Sequence, residues 1–507
     1  MPRSTALTRS LRRALRPLAV LALLAPLAAQ APYAGNVPPA APSVTRDAAL
    51  NERIEAVLRR PHLRRTHWGI EVRDAQSGRV LYARDADKLF IPASNLKLVV
   101  AAAAAHHLDP EFRYRTTLHA TGPVRGGALQ GDLVVRGSGD PTISGRYFDG
   151  RTAVLEGLAD SLRARGIRRI TGGIVADESA WDAEYVRGDW EAYDLRWWYA
   201  APVGALGFND NAVDFRVEPG AGVGQPARIS GSPASAAYTL VNATTTVARG
   251  RPHTLDFERV PGTDRIRAYG QIPLGTATRT ESFAVREPAR WLGTVFREVL
   301  AQEGITVGRR EVHVVSHPAA SPAAGAAALV EYRSPPLPRV IGPILLNSQN
   351  WFAEQLAKTL GREVRGEGSW SAGLAVERDF LSRVVGIDSA DFVLRDASGL
   401  SSGNLVTPRA LVALLDHVRR TPRQRIVREA LPVSGRSGSL QRRLEDLPGR
   451  VAAKTGYIGN VDTLSGFLTL ADGREVVFSI LANGSGQPSS RMKEAIDDIV
   501  RAVAATP

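Results

Sequence analysis

The run from Leu96 to Ala105, Leu-Lys-Leu-Val-Val followed by five alanines, is apolar on every side except at Lys97. A helix that is apolar all round has no face to give to water and belongs in an interior. The chain must therefore fold around this segment, and it must bury an amine in doing so. Pro92 opens the segment, and Ser94 stands one turn before the lysine. The amine is conspicuous because lysine is scarce here. Of 64 basic residues only five are lysines: Lys88, Lys97, Lys358, Lys454 and Lys493.

Arginine serves nearly everywhere a positive charge is needed, so the surviving lysines point to what guanidinium cannot do, which is lose a proton. Among Leu96, Leu98, Val99 and Val100, desolvation disfavours the charged amine, and a nearby cation would lower its pKa further. Residues three apart on a helix share a face, with Cβ atoms about 5–6 Å apart. Ser94 also sits where free backbone N–H groups and the helix dipole favour a developing oxyanion. A serine hydroxyl needs a base before it attacks, and a neutral lysine supplies one. The same residues also fit an N-capping serine and a lysine that snorkels to water. Ser490 and Lys493 repeat the spacing among Arg491, Glu494, Asp497 and Asp498, and there a cap plus a salt bridge is expected.

Residues 1–31 read as a secretory signal: five arginines, the apolar core Pro-Leu-Ala-Val-Leu-Ala-Leu-Leu-Ala-Pro-Leu-Ala-Ala, and the small-x-small site Ala29-Gln30-Ala31. The core is broken by Pro26 and is short for a bilayer span, and no later segment is long and apolar enough to span. Loss of the signal takes the net charge from +13 to +8. The arginines are scattered and aromatics make up 6%, so no nucleic-acid stripe is present; anionic cell-envelope polymers fit a basic exported protein better. The absence of cysteine excludes a lipoprotein anchor, disulfides and thiolate metal sites. His106-His107 does not read as a metal pair, and no cofactor is expected.

A Pro- and Ala-rich linker covers 32–45, then a helix from about 47 to 59 and two strands around a Ser77-Gly78 turn. From 116 to 324 the texture becomes β-rich, with short strands between Gly, Pro and Asp, and the alanine-rich stretch at 320–328 reads as the linker out of it. A hairpin turning at Asp472-Gly473 and an amphipathic helix with a serine N-cap close the chain. The expected organisation is one α/β domain, 46–115 with 325–507, split by the insertion.

Two later triplets accompany the serine and lysine. Ser348-Gln349-Asn350 offers a hydroxyl for proton relay and an amide for a substrate carbonyl, with Ser402-Gly403-Asn404 as a rival. Lys454-Thr455-Gly456 offers a cation, a hydroxyl and a glycine that allows close backbone approach, suited to docking an extended peptide by its edge. Lys454 would also depress the pKa of Lys97. Lys358-Thr359 lacks the glycine. The ordered set is the signature of penicillin-binding proteins and class A β-lactamases.

Here the chain resembles the D-alanyl-D-alanine carboxypeptidase/endopeptidases of penicillin-binding protein 4 type, peptidase family S13. The resemblance rests on PASNLKL, on the offset of 254 from Ser94 to Ser348, and on the stretches GDLVVRGSGDPTI, YAAPVGALGFNDNAV, RDASGLSSGNLVTP and LPVSGRSGSLQRRL. It assigns Ser402 and Asn404 to a separate box and leaves Ser348 and Asn350 in the second motif. It implies a transpeptidase-like domain, an antiparallel sheet covered by helices, with two smaller domains in the insertion. It implies Ser94 as acyl-enzyme nucleophile, Lys97 as proton acceptor, Ser348 as relay and Asn350 as substrate-amide contact. Lys454 and Thr455 would bind the terminal carboxylate, beside Gly456, with the N–H groups of Ser94 and Tyr457 as oxyanion hole. Tyr457 departs from the small hydroxyl residue of many relatives. The implied partners are peptidoglycan peptides and, as covalent inhibitors, β-lactams, in the periplasm with at most peripheral membrane association. A non-catalytic peptidoglycan-binding scaffold and a β-lactamase or esterase are the alternative readings.

Overall fold

The computed structural model describes residues 48–506; the expected signal and linker lie outside them. Helix α1 (Ala48–Leu58) leads into a hairpin of β1 (His67–Asp74) and β2 (Val80–Arg84), with Gly78 at a positive φ in the turn. Three strands return at the other end of the sequence: β3 (Val451–Ile458), β4 (Val461–Thr469) and β5 (Glu475–Asn483). The five form one antiparallel sheet in the order β2-β1-β5-β4-β3. The sequence ends meet in the middle of the sheet, where β1 pairs with β5 from His67–Asn483 to Asp74–Val476.

Both faces of this sheet are covered. On one, α1 and the C-terminal helix (Ser489–Ala504) pack Leu50, Ile54, Met492, Ile496, Ile499 and Val503 onto Ile70, Val72, Leu464 and Phe478. On the other lies α2 (Lys97–His107), with Lys97 and the nine residues from Leu96 to Ala105 around it all at 0–1% exposure. Helices α3 (Leu337–Leu346), α4 (Asn350–Arg365), α5 (Trp370–Asp379) and α6 (Pro408–Arg420) share a core with it. The all-apolar segment is the central helix of this layer, as its pattern requires.

The intervening residues build their own sheets. A five-stranded sheet runs Val312–Val315, Ile174–Asp177, Leu133–Arg136, Arg115–Ala120, Val330–Arg333, and two three-stranded sheets lie between residues 212 and 284. Helices Ala153–Ala164 and Pro288–Gln302 share the core of this region, so its texture is mixed rather than purely β. The alanine-rich stretch at 320–328 is not the exit: Val330–Arg333 pairs back onto Arg115–Ala120 beyond residue 324. Burying its edge against that strand outweighs the loop-like sequence before it.

At the C-terminus, the expected serine cap is absent. Pro488 precedes the first turn without a side-chain cap, and the Ser489 hydroxyl is spent on Asp462, 2.5 Å away. Lys493 makes no salt bridge among the described residues; its Nζ lies 5.5 Å from the centre of the Tyr457 ring.

Candidate active site

Ser94 occupies a single 3-10 turn, Ala93–Leu96, immediately before α2, and makes no capping hydrogen bond. Ala93 enters it at φ 46°, a strained conformation for a residue with a Cβ. The sheet clamps this turn. Asn483 accepts from the Ile91 N–H at 2.8 Å and donates to the Ile91 carbonyl at 3.1 Å. The Thr463 hydroxyl donates to the Pro92 carbonyl at 3.0 Å, and Asn95 Nδ2 donates to Ser465 Oγ at 2.7 Å. Two glycines close on the serine backbone. A Cβ on Gly456 would stand 2.9 Å from the Ser94 nitrogen, and one on Gly399 would stand 1.9 Å from the Ala93 oxygen. Only glycine permits these approaches.

Lys97 is fully buried, which rules out snorkelling. Its Nζ lies 2.8 Å from Ser94 Oγ, 2.7 Å from Asn350 Oδ1 and 2.7 Å from the Ser398 carbonyl. The Asn350 amide is oriented by its Nδ2, which donates to the Tyr199 carbonyl at 2.8 Å. Two of the three partners of Nζ can only accept. A neutral amine therefore donates its two N–H bonds to Asn350 and Ser398 and has its lone pair left for the Ser94 proton.

Burial brings the pKa of Lys97 down to about 7, against the opposing pull of Asp396 and Glu354. Burial acts as expected, but the further lowering expected from Lys454 is not among the causes. The influence runs the other way, with burial and then the Lys97 charge holding Lys454 well below its ordinary value. Lys454 is also fully buried, and its Nζ donates to Ser348 Oγ at 2.9 Å and to the Thr455 carbonyl at 2.6 Å. Ser348 holds φ 60° in the short connection between α3 and α4. Ser94, Lys97 and Asn350 thus form one hydrogen-bonded group and Ser348 and Lys454 a second, with the Lys97 charge felt at Lys454.

Alternation along β3, the edge strand, puts Lys454 and Gly456 on the Ser94 side and Thr455 and Tyr457 on the other. Thr455 Oγ1 lies 2.7 Å from Ser439 Oγ. Ser439 was not singled out by the sequence, although it lies in the stretch LPVSGRSGSLQRRL; only the fold brings it to Thr455.

Other contributors were also missed. Glu354, one turn beyond Asn350 on α4, accepts from the backbone N–H groups of Ala397 and Ser398 at 3.2 and 2.7 Å and from Trp370 Nε1 at 2.7 Å. Asp396 accepts from Gly399 and Ser401 N–H groups at 2.8 and 2.6 Å and from Trp190 Nε1 at 3.0 Å. Together these carboxylates shape the loop that aims the Ser398 carbonyl at Lys97. Burial pushes both carboxyls up. Asn404 of the rival triplet braces the same loop, accepting from Arg395 N–H at 2.7 Å and donating to Asp396 at 2.8 Å. Lys358 is buried against Asp182 at 2.6 Å and over Trp370, outside the cluster. The inserted region reaches in through YAAPVGALGFNDNAV. Besides Tyr199, Pro202 presents its carbonyl to Trp351 Nε1 and Asn211 Nδ2, at 3.0 and 2.7 Å.

The chain shares the fold of penicillin binding protein 4. It superposes on the crystal structure of penicillin binding protein 4 from Haemophilus influenzae with a TM-score of 0.79, covering 89% of this chain and 99% of that one at 21% identity. A second crystal structure of that protein, complexed with a β-lactam, matches with a TM-score of 0.72. In sequence, residues 50–505 match the model of the D-Ala-D-Ala carboxypeptidase 3 (S13) family, and the chain belongs to that family. It is 35% identical to a D-alanyl-D-alanine carboxypeptidase of an Actinomadura species, over 88% of this chain and 83% of the relative. It is 25% identical to the D-alanyl-D-alanine carboxypeptidase DacB of Haemophilus influenzae, over 84% of this chain and 88% of the relative.

Proposed function

We propose that this protein is a serine-type D-Ala-D-Ala carboxypeptidase and DD-endopeptidase. Ser94 attacks the carbonyl between two D-alanines of a peptidoglycan stem. The observation that carries the reading is the placement of Lys97 Nζ, 2.8 Å from Ser94 Oγ with two acceptor-only groups as its other partners, so that the amine, when neutral, turns its lone pair to the hydroxyl. Lys97 takes the hydroxyl proton as Oγ bonds to the carbonyl carbon, and the oxyanion is received by the N–H groups of Ser94 and Tyr457. As the C–N bond breaks, the proton that Lys97 took passes by way of Ser348, whose hydroxyl is held by Lys454, to the leaving amine, and Lys97 is neutral again. D-Alanine leaves, and the acyl group remains on Ser94. Water then adds to the ester with Lys97 again as base, releasing the shortened peptide. Asn350 holds a substrate amide, and Lys454 and Thr455 receive the terminal carboxylate, with Gly456 allowing the peptide and strand to meet. Cleavage of a cross-link is the same chemistry with a larger leaving amine.

β-Lactams would acylate Ser94 by the same attack. No cofactor or metal enters any step. The division proposed for the chain is a catalytic domain from both ends of the sequence with smaller domains inserted between them. The N-terminal segment supports export to the periplasm, and among the described residues no helix is long and apolar enough to cross a membrane. Digestion of purified peptidoglycan by wild type and by Ser94→Ala tests the reading. Free D-alanine and uncrosslinked stems should appear with the wild type alone; equal product from both would overturn it, and a silent wild type would leave the scaffold reading in its place.

A further inference from the structure

Of the five lysines, Lys493 is the one that the sequence marked by its serine-x-x-lysine spacing and that the chemistry above leaves unused. It is half-buried on the first turns of the C-terminal helix, with no carboxylate at ion-pair distance among the described residues. Its ammonium faces the ring of Tyr457, 5.5 Å from the centroid, close enough for a cation–π contact. Asp462, opposite Tyr457 across the hairpin, is engaged by Ser489 Oγ at 2.5 Å and feels the Lys493 charge without an ion pair to it. Arg443 is engaged by Asp497 at 2.7 Å.

Tyr457 is 57% exposed, one of few large apolar side chains left in water. It lies two residues beyond Thr455 on the same face of an edge strand, about 7 Å further along. In the reaction proposed above, the released residue spans these two positions: its carboxylate at Thr455, and the carbonyl it leaves at the Tyr457 N–H. A side chain of the released residue that followed this face of the strand would pass the exposed Tyr457 ring and meet Lys493.

We infer that Tyr457 and Lys493 form a leaving-group subsite that selects released residues with a long side chain ending in an anion over residues ending in a methyl group. This rests on the proposed reaction and assigns its preferred leaving group. The aromatic ring supplies an apolar wall for methylenes, and the ammonium beyond it pairs with the anionic end. A small hydroxyl residue at position 457 would supply neither the wall nor the support for the lysine.

The test compares three acyl-D-Ala-X peptides, with X as D-alanine, D-norleucine or D-2-aminoadipate, on wild type, K493M and K493R. Wild type should favour aminoadipate over norleucine and norleucine over alanine in kcat/KM. K493M should lose about fivefold on aminoadipate, through KM, and keep its turnover of the alanine and norleucine peptides. K493R should restore most of the loss, and raised salt should shrink the aminoadipate preference in wild type alone. An aminoadipate-to-norleucine ratio equal in wild type and K493M overturns the subsite while leaving the reaction standing. Failure of wild type to cleave any of the three overturns both.

Discussion

Lys97 Nζ stands 2.8 Å from Ser94 Oγ, and its other two hydrogen bonds run to Asn350 Oδ1 and the Ser398 carbonyl, groups that cannot donate. The geometry fixes which way the proton of the serine can travel only if the amine is neutral. Replacing Lys97 by arginine keeps a cation and its donors but removes the lone pair. Acylation of Lys97→Arg by a chromogenic β-lactam should fall by about a thousandfold and should not recover at high pH. Stopped-flow absorbance measures it.

The pH dependence follows from the same amine. With a pKa of about 7, Lys97 becomes competent as pH rises through that value, so kcat/KM should climb across an acid limb near pH 7. Asp396 raises this pKa by its charge. Asp396→Asn should therefore move the limb to lower pH. The plateau should also fall, because an amide cannot accept from Gly399 and Ser401 as the carboxylate does. A pH profile of acylation separates the two effects.

Gly456 tests how closely β3 must approach the nucleophile. An added methyl meets Thr463 Oγ1 at 2.2 Å as well as the Ser94 nitrogen. Gly456→Ala should push the strand edge away, lowering kcat/KM by about a hundredfold and the unfolding temperature by a few degrees. Matched kinetics and calorimetry check both halves of this expectation.

Ser439 holds the hydroxyl of Thr455 from outside the sheet. Ser439→Ala leaves Thr455 in place but frees its rotamer. KM for a peptide with a free C-terminal carboxylate should rise about fivefold, with kcat little changed. The same peptide with its terminus amidated should not feel the substitution.

The parts of this site that could be read in the sequence are those set by local geometry. Three residues on a helix fix Ser94 beside Lys97, and the glycine after Lys454-Thr455 signalled close backbone approach. What could not be read depends on chain segments meeting at long range. Glu354 and Asp396 look like ordinary surface acids until α4 and the loop at 396–401 pack behind Lys97, and Tyr199 acts through a backbone carbonyl, which no side chain advertises. Burial, legible in the apolar neighbours of Lys97, is the main cause of its shift; the further lowering expected from Lys454 is absent, and the nearby charges that act are the carboxylates Asp396 and Glu354, which raise it. The exit from the insertion was misplaced because Val330–Arg333 is a short strand whose pairing with Arg115–Ala120 no local pattern records.

The scarcity of lysine makes the central claim directly measurable. With [13Cε]lysine incorporated, the protein carries five labelled side chains, and Lys97→Arg identifies the resonance of interest. The Lys97 Cε signal should titrate with a midpoint near pH 7 in the free enzyme and move when a β-lactam occupies Ser94. A Lys97 signal that stays in its ammonium position up to pH 9 would contradict that claim.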